Sequence, residues 1–93
     1  MLEKHIENAV NKAVKARDGM CIKLVSPTMN GLPDRLLLLP RGRVAFVELK
    51  QSGIKPRQLQ LKRHEQLRSL GFKVYVIDDK MQIGGVLDEI QTT

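Results

Sequence analysis

The stretch that most limits how this chain can fold is residues 31–50, GLPDRLLLLPRGRVAFVELK. Two largely apolar runs flank Pro40-Arg41-Gly42, and that punctuation predicts a β-hairpin. Proline suits the first position of a type I turn, and glycine suits the left-handed position that closes it with a bulge. A three-residue loop sets Leu39 against Arg43, and counting back sets Asp34 against Glu48. Side chains alternate along a strand, so Glu48 and Lys50 share a face, and Asp34 joins them in this register. A two-residue loop at Arg41-Gly42 slips the pairing by one and turns Asp34 away.

Two carboxylates facing each other across a ladder lie about 5 Å apart at Cβ. Unpaired, they repel one another and resist burial. A divalent cation resolves the conflict, and hard oxygen ligands suit Mg²⁺ or Mn²⁺. Lys50 stands about 7 Å further along its strand than Glu48, placed to orient a water or to stabilise charge on a phosphate. The plainer reading of the same residues is an edge hairpin with ordinary surface charges.

A chain of 93 residues makes one domain, 1–93, with a modest core. Phe46, Phe72 and Tyr75 are its whole aromatic set, so Leu, Val and Ile must fill the interior. No apolar run approaches the ~20 residues that span a membrane, and no secretory signal pattern is present. Cys21 is the single cysteine, which fits a buried strand residue in the reducing cytoplasm. His5 and His64 stand too far apart to suggest a zinc site, and His64 is not expected to be a ligand. The net charge of +6 is unevenly spread. Residues 50–73 hold seven basic side chains against the single acid Glu65. Such a basic middle beside a carboxylate pair suits a polyanionic substrate; the alternative is a solvated helix face.

In chain order, residues 2–17 predict a helix, with Leu2, Ile6, Ala9, Val10 and Ala13 at helical spacing and Gly19 as its stop. Glu7 lies beside that stripe and is better placed than Glu3 to reach a site where helix meets sheet; surface salt bridging is its other reading. Residues 20–26 predict a strand, and 26–33 a turn-rich loop at the rim of any site around Asp34. The unbroken run Leu36–Leu39 suits a strand covered on both faces. Pro56 can open a helix reaching Leu70, with Leu59, Leu67 and Leu70 as its buried stripe and Gln60, His64 and Leu67 along one face. Gly71 fits its stop. Residues 73–78 predict a strand, and 81–90 a last helix weakened by Gly84-Gly85. The order predicts an α/β fold with a mixed sheet.

At Pro33-Asp34, Glu48-Leu49-Lys50 and the string between them, the sequence resembles the PD-(D/E)xK nuclease superfamily. Residues 31–50 as a whole are similar to its virus-type replication-repair branch, the VRR-NUC domain, and the resemblance runs over residues 2–78. It implies a restriction-endonuclease-like core, a small mixed β-sheet flanked by helices. It further implies that Asp34, Glu48 and the backbone carbonyl of Leu49 bind Mg²⁺ or Mn²⁺, with Glu7 of the Ile6-Glu7 pair joining the shell. Lys50 and Gln60 would complete the catalytic set. Many relatives carry basic residues where this chain has Met29 and Asn30, and Ser-Pro where it has Arg57-Gln58. A solvent-facing Gln60 is the alternative to a site role.

The function expected on this basis is metal-dependent hydrolysis of DNA phosphodiesters. Lys55, Arg57, Lys62, Arg63 and Arg68 are the expected contacts to the DNA backbone. The expected substrate is a four-way (Holliday) junction, cut by a homodimer that shares the apolar face of Val86, Leu87 and Ile90. Small stand-alone members of the family resemble junction resolvases, and two symmetric cuts need two protomers. The alternatives are a flap nuclease, a restriction-type nuclease and a non-catalytic nucleic-acid-binding module.

Overall fold

The computed structural model describes residues 1–92. It arranges them as α1 (Glu3–Ala16), β1 (Met20–Lys23), β2 (Arg35–Leu39), β3 (Arg43–Leu49), α2 (Gln58–Ser69), β4 (Lys73–Ile77) and α3 (Ile83–Thr92). The strands form one mixed sheet in the order β1-β2-β3-β4. The first two pairings are antiparallel and β3–β4 is parallel. A parallel pair cannot be closed by a tight turn, so it needs a crossover, which α2 supplies. The α/β class and the small mixed sheet flanked by helices are therefore as expected.

The hairpin register is also as expected. Leu39 pairs with Arg43 and Arg35 with Val47, which sets Asp34 in line with Glu48. The turn chemistry differs from expectation. Arg41 as well as Gly42 is left-handed, with φ of 68° and 70°, so the Pro40–Gly42 turn is not helical in its backbone dihedrals. The left-handed region costs a non-glycine residue about 1 kcal/mol, a cost carried here by the continuous ladder on either side.

Ile6, Val10 and Val14 recur every fourth residue of α1 and are fully buried. Glu3 in the first turn and Lys15 in the last both agree with the helix dipole. The helix stops as Asp18 turns left-handed, φ 60°, and the Gly19 amide donates back to the Val14 carbonyl at 3.0 Å. A Cβ on Gly19 would lie 2.7 Å from both the Leu38 carbonyl oxygen and Leu39 Cδ2. Close approach to β2, rather than a left-handed φ, is what demands glycine there. β1 ends at Lys23, three residues sooner than expected, although the Leu24 amide still donates to the Asp34 carbonyl at 2.7 Å in the register of the β1–β2 ladder.

The hydrophobic core occupies one face of the sheet. Leu37, Leu39, Ala45, Val47, Leu49 and Ile77 pack there against Ile6, Val10 and Val14 of α1 and Ile83, Leu87 and Ile90 of α3. Leu36 and Leu38 point the other way and are only half-buried, so β2 is less evenly covered than its leucine run suggested. Burial of Leu87 and Ile90 against the sheet also corrects the proposed dimer face. Those side chains serve the protomer's own core and cannot be shared across a two-fold axis.

The opposite face lies under α2, which is turned differently from expectation. Its buried residues are Gln60 and His64, while Leu59, Leu61 and Leu70 are exposed. The reason lies beneath the helix. That sheet face carries Glu48, and a buried acid needs polar partners more than leucines. At the far end Phe72 meets Phe46 edge-on, ring centroids 5.7 Å apart.

Candidate active site

β3 delivers Glu48 to the α2 face and Lys50 to the same side one alternation later. Glu48 is only 1% exposed. Its Oε2 accepts a hydrogen bond from Gln60 Nε2 at 3.1 Å and lies 3.6 Å from Lys50 Nζ. Its Oε1 is buried with no hydrogen-bond partner. Asp34 reaches across from the start of β2, and its Oδ2 accepts from the Leu49 amide at 3.0 Å. The structure thus brings together Asp34, Glu48, Leu49, Lys50 and Gln60.

Burial pushes the Glu48 carboxyl up to about 8, helped by the Asp34 carboxylate beside it and opposed by Lys50. Gln60 does two jobs. Its Oε1 accepts from the Arg57 amide at 2.8 Å, tying the first turn of α2, while its Nε2 holds Glu48. It is 8% exposed, so the solvent-facing alternative does not hold.

Glu7 is placed elsewhere. Its Oε1 pairs with Arg35 Nη2 at 2.9 Å. No cluster of three or more His, Cys, Asp or Glu side chains suited to a metal occurs among the described residues. Glu7 is thus paired with Arg35 in this structure, the geometry of its salt-bridging reading. Arg35 in turn donates from Nη1 to the Asp34 carbonyl at 3.1 Å. Sequence reasoning misses this buried arginine; its signal is a charge at an inward position of an apolar strand.

His64, expected on the same face as Gln60 but not as a ligand, stands one turn beyond it. It is completely buried, and its Nε2 lies 3.8 Å from Glu48 Oε1. Burial lowers its affinity for a proton, the charges of Arg68 and Lys50 lower it further, and Asp34 opposes them.

Of the basic residues expected to contact DNA, Lys55, Arg57, Lys62 and Arg68 are exposed. Arg63 is engaged within the chain, donating to the Asn30 carbonyl at 2.9 Å and to Gln66 Oε1 at 2.8 Å. Arg68 donates to the Val74 carbonyl at 2.8 Å. Arg63 thereby clamps the loop that follows β1 onto α2. That loop lies at the rim of the site, as expected. A cleft of about 500 Å³ opens between Asn30, Gly31, Leu32, Asp34, Arg57, Leu59 and Gln60. Gly31 is close-packed there, since a Cβ would meet Leu59 Cγ at 2.8 Å.

Fold and site define a class: small α/β proteins that gather two carboxylates and a lysine on one sheet face beneath a helix. Comparison with known proteins narrows it. A phage protein named "Putative nuclease p44", from Acyrthosiphon pisum secondary endosymbiont phage 1, is 43% identical over 79 residues, 85% of this chain and 81% of that one. A solved structure described as a VRR_NUC domain matches with a TM-score of 0.87 at 32% identity, covering 92% of this chain and 94% of its own. No protein-family model matches. The chain belongs to the VRR-NUC family of the PD-(D/E)xK nucleases, a fold family that generally uses divalent metals. Among the described residues, no helix is long and apolar enough to cross a membrane.

Proposed function

We propose that this nuclease is a Mg²⁺- or Mn²⁺-dependent DNA endonuclease whose site is built from Asp34, Glu48, Lys50 and Gln60. The observation that carries this reading is the unpartnered Oε1 of a buried Glu48 placed beside Asp34. A carboxylate so buried, next to another, is costly to keep charged unless a cation joins them; without one, the pair holds a proton instead.

The donor set fits such an ion. Two carboxylates and a backbone carbonyl, that of Leu49, offer hard oxygens, and Mg²⁺ commonly takes one or two carboxylates and keeps several waters. When bound, the ion supplies Lewis acidity toward the phosphate and a water of lowered pKa. Lys50 presents its ammonium to the negative charge that develops on the phosphate oxygens. Gln60 fixes the plane of the Glu48 carboxylate. Glu7 acts at one remove, as a support for Asp34 through Arg35. The exposed Lys55, Arg57 and Lys62, at the mouth and along the outer side of α2, are the proposed grips on the DNA backbone.

The proposed substrate is branched DNA, a four-way junction above all, cut by a homodimer. Its support is that each chain offers one acidic site, so two matched incisions need two chains. The test incubates purified protein with junction, flap, duplex and single-stranded DNA, in Mg²⁺, Mn²⁺ or a chelator, alongside light scattering. Metal-dependent paired cuts in the junction by a dimer are expected. Equal cutting in the chelator would remove the metal from the reading. A monomer that prefers the flap would remove the junction and the dimer.

A further inference from the structure

We infer that His64 is a positioning residue for Glu48, holding its Oε1 through an Nε2–H donor while Gln60 holds its Oε2. The inference rests on the reading of Glu48 as a metal-binding carboxylate.

Among the described residues, three buried side-chain nitrogen or oxygen atoms lack hydrogen-bond partners, and all three belong to this pair: Glu48 Oε1, His64 Nδ1 and His64 Nε2. Unpartnered polar atoms in an interior carry the full cost of their lost hydration, and a histidine used only as filler would be better replaced by an apolar side chain. The two residues nevertheless face each other, Nε2 to Oε1, at 3.8 Å. That is too long for a hydrogen bond, and closing it by about 1 Å brings it into range.

The division of labour is visible in the atoms. Oε2 of Glu48 receives Gln60 and lies near Lys50, while Oε1 is turned to His64. A carboxylate has about four lone-pair sites, so one hydrogen bond to each oxygen leaves others directed at a cation. Gln60 and His64 sit one helical turn apart on α2, and together they would clamp both oxygens from a single rigid element. A neutral imidazole suits this task. It donates from Nε2 and leaves Nδ1 as a bare acceptor, the less costly atom to leave unpaired. Such outer partners orient metal-binding side chains, and their removal commonly lowers metal affinity 10–100-fold, about the range expected here.

The test is Mn²⁺ binding by calorimetry without DNA, for wild type, His64→Phe and His64→Gln, with melting temperatures in a chelator as a folding control. His64→Phe should bind Mn²⁺ about tenfold or more weakly while melting no lower than wild type. His64→Gln retains a donor and should recover most of the affinity. Equal affinity in wild type and His64→Phe would overturn the inference and leave the metal reading standing. Failure of wild type to bind Mn²⁺ at all would overturn both. Should His64→Phe not fold, ¹⁵N NMR of the wild-type imidazole decides. An Nε2–H tautomer whose signals move on adding Mg²⁺ supports the role, and an Nδ1–H tautomer indifferent to Mg²⁺ refutes it.

Discussion

Gln60 Nε2 donates to Glu48 Oε2 at 3.1 Å while the other end of the same amide, Oε1, accepts from the backbone amide of Arg57 at 2.8 Å. One side chain therefore ties the first turn of α2 and steadies the buried acid. Gln60→Ala should lose both. The lost helix-end hydrogen bond is expected to cost about 1 kcal/mol of stability, and single-turnover cleavage should slow at least about tenfold, or roughly 1.4 kcal/mol. Thermal melts and single-turnover kinetics on one preparation check the pair of effects. A drop in melting temperature with unchanged cleavage would confine Gln60 to a structural role.

Glu48→Gln should separate stability from activity. The substitution keeps the shape and removes a charge that is costly to bury without a cation. The metal-free variant is expected to melt at or above the wild-type temperature at pH 9, and to cut DNA at least about a thousandfold more slowly, a barrier rise of roughly 4 kcal/mol. Asp34→Asn should show the same loss of cutting. Neither change should weaken DNA binding measured in a chelator, since each removes a negative charge near the phosphates.

The Glu48 carboxyl, raised to about 8 by burial and by Asp34, gives stability a definite pH dependence. A folded-state pKa above the unfolded value means that the folded protein binds the proton more tightly. The resulting stabilisation is fully present below the unfolded value near 4.5 and is lost as pH rises through about 8. Subtracting the pH profile of Glu48→Gln from that of metal-free wild type isolates the effect. The difference should turn against wild type between pH 5 and 9. Metal affinity should run the opposite way and strengthen over that interval, because a ligand must lose its proton to bind. A flat difference profile would contradict the raised carboxyl.

Lys50→Met retains length and loses charge. Lys50 Nζ stands 3.6 Å from Glu48 Oε2, so its charge belongs to the site more than to the core. Cleavage should slow by at least about tenfold, with the melting temperature nearly unchanged. An unaltered single-turnover rate at saturating enzyme would rule out the role.

Replacing Lys55 and Lys62 by Gln should flatten the dependence of log affinity on log salt, by about 0.9 for each duplex phosphate that is no longer neutralised. Arg63→Gln should behave differently. Arg63 holds the Asn30 carbonyl, so its loss should show first as faster hydrogen exchange in the loop after β1. Equal salt effects from Lys62 and Arg63 variants, with no change in loop exchange, would return Arg63 to the DNA contacts.

How much of this can be read in the sequence depends on the range of the interaction concerned. The register that aligns Asp34 with Glu48 is legible, because it follows from loop length and strand alternation around Pro40-Arg41-Gly42. The left-handed Arg41 is not, since a turn rich in permissive residues admits several backbone paths of equal length. The rotation of α2 escapes the sequence because leucines normally mark the inward face. Here Leu59 and Leu70 point outward, and the inward face answers to an acid on another strand. Glu7 illustrates the same limit. Its side of α1 is evident, but its partner Arg35 is 28 positions away and emerges only once β2 is laid beneath the helix.

The sheet keeps its apolar packing on one side and its reactive groups on the other, and this has a bearing on how the protein can vary. Substitutions on the α2 face that retune the chemistry leave α1, α3 and the leucine-valine layer untouched. Changes that loosen that layer reach Asp34 through the Leu49 amide that holds its side chain and through the Glu7–Arg35 link. Selection for a new DNA substrate can therefore act on one side of the molecule at little risk to the other. Domains with this insulation should tolerate recombination of α2 and the loop after β1 as a single exchangeable cassette.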